Sequence, residues 1–98
     1  MKAASIINLN SMTGKETIAE NEGFRMVSIC LEPDSGLPKH RHDGKAVILV
    51  LKGKVEMNFT DLDSVTLNQG DVYEFDAKIE HNVVALERSQ VVITTVAS

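Results

Sequence analysis

Ninety-eight residues make one domain with no room for a second, and a domain of this size buries roughly two-thirds of its unfolded surface, enough for a modest core. Ten Lys and Arg against fourteen Asp and Glu give a net charge of −4; the basic residues are scattered and the only aromatics are Phe24, Phe59, Tyr73 and Phe75. With no stripe to track phosphates and no stacking platform, nucleic acid is excluded as a partner. Cys30 stands alone, which excludes a disulfide scaffold and fits a reducing, cytoplasmic setting.

The N-terminal apolar run breaks at Asn8, too short for a signal peptide, and no segment approaches a membrane span. Residues 3–10 predict a short edge strand. Ser11 to Asn21 is polar, with a turn at Thr13-Gly14-Lys15, and predicts a surface meander; a helix over Lys15–Glu20 would be too short and too polar to stand alone. Residues 1–23 therefore read as an edge strand and surface segment ahead of the main β unit, residues 24–98. Phe24 to Leu31 predicts a strand, with Val27, Ile29 and Leu31 on one face and Arg25 at its entry. Met26, Ser28, Cys30 and Glu32 share the other face, and Cys30 reads as a small, partly buried hydrophobe. Glu32 to Gly36 is dense in turn residues.

Leu37 to Gly53 is the segment of greatest chemical interest. Pro38 biases Leu37 toward extended backbone. In a strand, His40 and His42 would point to one face about 6.6 Å apart along the chain, with Arg41 pointing the opposite way. Ala46 to Leu51 is apolar on both faces and needs cover on both. Continued parity puts Ala46, Ile48 and Val50 inside with the two rings, and Val47, Leu49 and Leu51 outside. Gly53 predicts a tight hairpin into a strand over Val55–Thr60, where Val55, Met57 and Phe59 alternate with polar residues.

Asp61 to Ser64 predicts a turn into Val65–Leu67, and Asn68 to Asp71 a turn into Val72–Phe75. A loop over Asp76–Glu80 leads to strands at His81–Leu86 and Gln90–Val96. Eight or so short strands with polar turns, no amphipathic helix and no repeat predict an all-β sandwich or small barrel. Val91 to Val96 would be an aggregation hazard as an exposed edge. A homodimer burying it together with Val47, Leu49 and Leu51 is the preferred answer, with burial within the chain as the close alternative.

His81 is the third and last histidine. Two imidazoles on one strand and a third on a distant strand suit a first-row metal. A lone His-x-His pair in a β-rich protein is more often surface or core filler, and it is the third histidine that favours a site.

The chain at this point resembles a small single-domain cupin over roughly residues 24–96. His40-Arg41-His42, then position 46, then Gly53 match the spacing of the family's first motif. Gly70-Asp71, Asp76-Ala77-Lys78 and His81 match the lengths of the second. The resemblance implies a double-stranded β-helix (jelly-roll) barrel, often dimeric, whose mouth commonly holds a divalent metal. The sequence departs from the pattern: the ligand Glu is Ala46, Gly36 comes two residues after the expected glycine position, and the Pro and Gly of the second motif are Asp76 and Lys78. Ala85 stands where the family often has Asn.

What remains is a three-histidine set, His40, His42 and His81, for Fe, Ni, Zn or Mn. Ala46, Ile48, Val50, Met57, Phe59 and Phe75 are the expected apolar pocket lining. Glu80 should face away from His81, Tyr73 is the only candidate phenol, and Met57 reads as a gap-filler. Three functions compete. One is a metal-dependent dioxygenase or isomerase acting on a small polar or acidic substrate; no second catalytic group is evident, so catalysis is left open. Another is a non-catalytic module that holds a small ligand or metal; a metal-binding cupin, catalytic or not, is the favoured reading. The third is a metal-free barrel whose histidines are hydrogen-bonded at a wet mouth.

Overall fold

The computed structural model describes residues 6–60 and 62–96. Within them the chain is built from nine strands and one 3-10 turn at Leu9–Ser11. The strands are β1 (Lys15–Glu20), β2 (Phe24–Leu31), β3 (Gly36–His40), β4 (Lys45–Lys52), β5 (Lys54–Phe59), β6 (Leu62–Asn68), β7 (Val72–Asp76), β8 (His81–Ala85) and β9 (Ser89–Val96). They form two antiparallel sheets, of order β1-β2-β9-β4-β7 and β3-β8-β5-β6. Successive strands alternate between the sheets from β2 to β5 and again from β6 to β9, which gives an open jelly roll and not a closed barrel.

The alternating apolar residues explain how the sheets meet. Ile48 and Val50 of β4, Val91 of β9, Val55 and Met57 of β5, and Val83 and Ala85 of β8 are all buried between them. Burial at roughly 25 cal/mol per Å² of apolar surface is the main force holding the layers together. The predicted inner parity of Ala46, Ile48 and Val50 holds, and Val47, Leu49 and Leu51 are half-buried on the outer face. The two outer faces differ in chemistry. On the smaller sheet, Glu56, Asn58, Thr66 and Asn82 face out, and the Asn58 side-chain amide donates to Asn82 Oδ1 at 2.9 Å. On the larger sheet, Val47 and Leu49 lie beside Thr94, Val92 and an exposed Val72.

Several local expectations are corrected. Of the edge strand predicted over residues 3–10, residues 3–5 lie outside the described ones. Residues 6–8 are irregular and 9–11 form the 3-10 turn, because Asn8 Oδ1 caps the Asn10 amide at 2.8 Å. The edge strand is instead Lys15–Glu20, where a surface meander was expected. It is recruited by β2, with partners from Lys15↔Ile29 to Glu20↔Arg25. Leu9 is held by Gln90, whose Nε2 donates to Leu9 O and to Ser28 Oγ, both at 2.9 Å. Cys30 is half-buried, with its Sγ 3.4 Å from Met12 O.

Gly53 does not close a hairpin. β4 pairs with β7 and β9 while β5 pairs with β6 and β8, so Gly53 turns the chain from one sheet into the other. Asp61 lies outside the described residues, and β6 already starts at Leu62, where a turn through Ser64 was expected. Val91–Val96 is no edge, since β9 is the middle strand of the larger sheet.

Candidate functional site

Extended backbone around Pro38 directs β3 along β8. Pairing runs Gly36↔Val84 and Leu37↔Val83, then shifts register and resumes at His40↔His81. The two imidazoles are thereby brought into contact, with ring centroids 4.4 Å apart and planes inclined by 60°. Each ring leans on a carbonyl two residues back, His40 Nδ1 on Pro38 O at 2.8 Å and His81 Nδ1 on Ile79 O at 2.7 Å. A carbonyl only accepts, so Nδ1 carries the proton in both neutral rings and Nε2 is the free lone pair.

The two rings differ in surroundings. His40 is exposed, whereas His81 is 3% exposed and packs edge-on against Phe75 (4.9 Å) and near Phe59 (5.8 Å). Burial pulls the His81 pKa below its ordinary 6.5; the Ile79 carbonyl opposes this and the neighbouring His40 reinforces it. A histidine held neutral in the fold takes up its proton more readily once unfolded. Its contribution to stability is therefore full above pH 6.5 and is lost as pH falls from there through the lowered folded value. The urea midpoint should drop between pH 7.5 and 5.5 by more in the native chain than in His81→Phe. Equal drops would assign the pH dependence to other groups.

His42 is placed differently from expectation. β3 ends at His40, and residues 41–44 are irregular, with Gly44 at φ +109° and the His42 amide donating to Ala77 O at 2.8 Å. The two-residue strand period does not extend past His40. Among the described residues no group of three His, Cys, Asp or Glu is gathered closely enough to hold a metal ion. The same break corrects Arg41, which lines one groove together with His40 and His42 instead of facing the other way.

That groove, of about 490 Å³, lies between the β1–β2 side of the larger sheet and the β3 rim of the smaller one. Phe24, Val27, Ile29, Leu37 and Ile93 supply its apolar surface, Lys15 and Arg25 its further cations, and Glu20, Glu22, Asn21 and Thr95 the rest of its polar lining. Lys15 carried no signal in the sequence. Arg25 did, as a charged residue in phase with the inward-facing Val27, Ile29 and Leu31.

The six residues expected to line a pocket lie elsewhere. Ala46, Ile48, Val50 and Met57 are solid core between the sheets, and Phe59 and Phe75 fill the space behind His81, so none of the six borders this groove. Tyr73 is half-buried and packs with Phe59 and Phe75 on the inner side. Glu80 is engaged by the Thr60 hydroxyl at 3.2 Å.

As a metal site, the donor set is a pair plus a neighbour. His40 and His81 offer free Nε2 atoms on two rings in contact, each ring fixed by a carbonyl in the way ligating histidines usually are. Ala46, in the position of the family's carboxylate, offers no donor. A structural or catalytic ion takes three or four protein ligands, so an ion here would draw its remaining ligands from His42, water or the bound small molecule.

The chain matches the family described as "Cupin domain" over residues 27–97, and it belongs to that family. No curated protein matches it. Among solved structures, it is similar to an RmlC-like cupin from Desulfovibrio desulfuricans at 24% identity and a TM-score of 0.77, covering 98% of this chain and 96% of that one. A cupin superfamily protein from Desulfitobacterium hafniense aligns at 13% identity and a TM-score of 0.83, over 100% and 94% of the two chains. KdgF from Halomonas sp. aligns at 21% identity and 0.74, over 86% and 77%. At these identities the likeness establishes the shared fold alone.

Proposed function

We propose that this cupin binds a small molecule in the groove bordered by His40, Arg41 and His42. The observation that carries the reading is the convergence of these three polar residues on a concave surface backed by apolar side chains. Small-ligand sites have this make-up of apolar wall and few directed polar groups. The one free cysteine is in keeping with work in the cytoplasm. The apolar outer face of the larger sheet, set against the polar outer face of the smaller one, supports a homodimer built on Val47, Leu49 and Val72.

A second reading is favoured by the fixed tautomers of His40 and His81: a divalent ion, Fe, Ni, Zn or Mn, held by these two rings and by the ligand itself, with His42 joining once the irregular 41–44 segment carries it inward. Such an ion would act as a Lewis acid on an oxygen of the ligand, as a dioxygenase or isomerase site requires. Elemental analysis of untagged protein purified without chelator, followed by titration with Fe(II), Ni(II) and Zn(II), separates the two. The metal reading expects near-stoichiometric uptake, lost in a folded His42→Ala variant and released as pH falls through about 6. No uptake by the native chain would remove it and leave ligand binding alone. Uptake that His42→Ala leaves unchanged would remove His42 from the ligand set.

A further inference from the structure

We infer that the groove takes small carboxylates carried on an apolar body, and that Arg41 is the residue that reads the carboxylate. The inference rests on the groove being the ligand site. Among the charged side chains bordering it, Lys15, Arg25 and Arg41 outnumber Glu20 and Glu22, in a chain whose charges otherwise run ten basic to fourteen acidic. The local excess is therefore of the sign opposite to the whole.

The three cations are not equivalent. Arg25 is already engaged, with its Nε 3.9 Å from Glu20 Oε2 and an Nη donating to Thr17 Oγ1 at 3.3 Å. Arg41 makes no ion pair and no side-chain hydrogen bond among the described residues, and it lies between the two exposed histidines. A guanidinium presents a planar fork that matches the two oxygens of a carboxylate, which an ammonium such as Lys15 does not.

The adjacent imidazole cannot take this role. His40 commits its Nδ1 proton to Pro38 O, so its neutral ring offers the groove only the lone pair of Nε2, which repels a carboxylate oxygen. His42 offers the groove one N–H donor, but only Arg41 offers a permanently charged fork, so anion recognition on this rim falls to Arg41. Elsewhere in the groove Phe24, Val27, Ile29, Leu37 and Ile93 form the apolar surface, beside the neutral polar side chains of Asn21 and Thr95. The part of the ligand beyond its carboxylate is therefore largely hydrocarbon, with room for a polar group against Asn21 or Thr95, and of a size that about 490 Å³ admits.

The test uses two probes of one shape. Amide ¹H–¹⁵N spectra of the full chain, treated with chelator so that no adventitious ion holds the carboxylate, are titrated with 4-methylpentanoate and with 4-methylpentanamide. The acid should shift the resonances of Arg41, His42, Val27 and Ile93 and bind about tenfold more tightly than the amide, as a charge-assisted pair does over a neutral one. In Arg41→Gln, an exposed position where retained spectral dispersion reports the fold, that preference should vanish while the amide binds as before. Groove shifts of equal affinity for acid and amide would overturn the carboxylate inference and leave the groove as the ligand site. A preference that survives in Arg41→Gln would overturn the assignment to Arg41. No groove shift with either probe would overturn the ligand site and the inference together.

Discussion

Gly53→Ala is expected to lower the free energy of unfolding by about 2–5 kcal/mol, backbone strain and overpacking acting together. Gly53 sits at φ +89°, and a Cβ there would fall on Ser89 Oγ and Arg88 O and lie 2.8 Å from Ser89 Cα. Ser89 cannot move aside freely. Its hydroxyl accepts from the Lys54 amide at 3.0 Å and donates to Glu87 O at 2.7 Å, which stitches the β8–β9 turn to the corner between sheets. Gly70→Ala is the control. It has the same φ of +89° but nothing within 4 Å of the added carbon, so only strain remains, about 1–3 kcal/mol. Urea denaturation of both variants measures the difference. Equal losses would show that the contact of the corner with Ser89 carries no weight.

Val50→Asp is expected to destabilise the fold by at least about 3 kcal/mol, because an unpaired carboxylate would enter the interior between the sheets. Val50 is 0% exposed, on the inner face of β4 opposite Val91. Its chain neighbour Leu49 faces outward and is half-buried. Leu49→Asp should cost the monomer much less, yet should dissociate a dimer built on that face. Denaturation reports the first effect and sedimentation the second. Similar urea midpoints for the two variants would contradict the inward and outward assignment. An unchanged sedimentation coefficient in Leu49→Asp would remove this face as the interface.

Most of the sheet-forming segments were legible because each carries its own period. Val55, Met57 and Phe59 alternate with polar residues, and Ala46 to Leu51 is apolar throughout; both are strands where expected. Lys15–Glu20 was not legible as a strand. Its residues show no apolar alternation, and its conformation comes from the open edge of β2. Gly53 had the chemistry of a tight turn, and a tight turn it is. Whether that turn makes a hairpin or a corner depends on β4 finding β9 and β7, which lie more than fifteen residues downstream.

The site was legible in part for the same reason. Strand parity carries information only while the ladder lasts. It brought Ala46, Ile48 and Val50 to the correct face but misplaced Arg41, since β3 stops at His40. His40 and His81 lie 41 positions apart, and their contact follows from the register of β3 on β8, which no local pattern encodes. The groove depends in turn on β1 and β2 flanking the β3 rim, so Lys15 could not have been singled out from its neighbours.

The position of β9 has a consequence for synthesis. It is the middle strand of the larger sheet, pairing with β2 from Phe24↔Val96 to Leu31↔Ser89 and with β4 from Lys45↔Val96 to Lys52↔Gln90. Until Ser89–Val96 has left the ribosome, β2 and β4 each have one sheet neighbour, β1 and β7, and the larger sheet is two separate ribbons. Two-stranded ribbons are marginal in water, and pairings this distant in sequence form slowly. The larger sheet therefore closes late, around its last strand. Until then the apolar Ala46–Leu51 segment lacks one of its two sheet neighbours and is open to pairing with other chains.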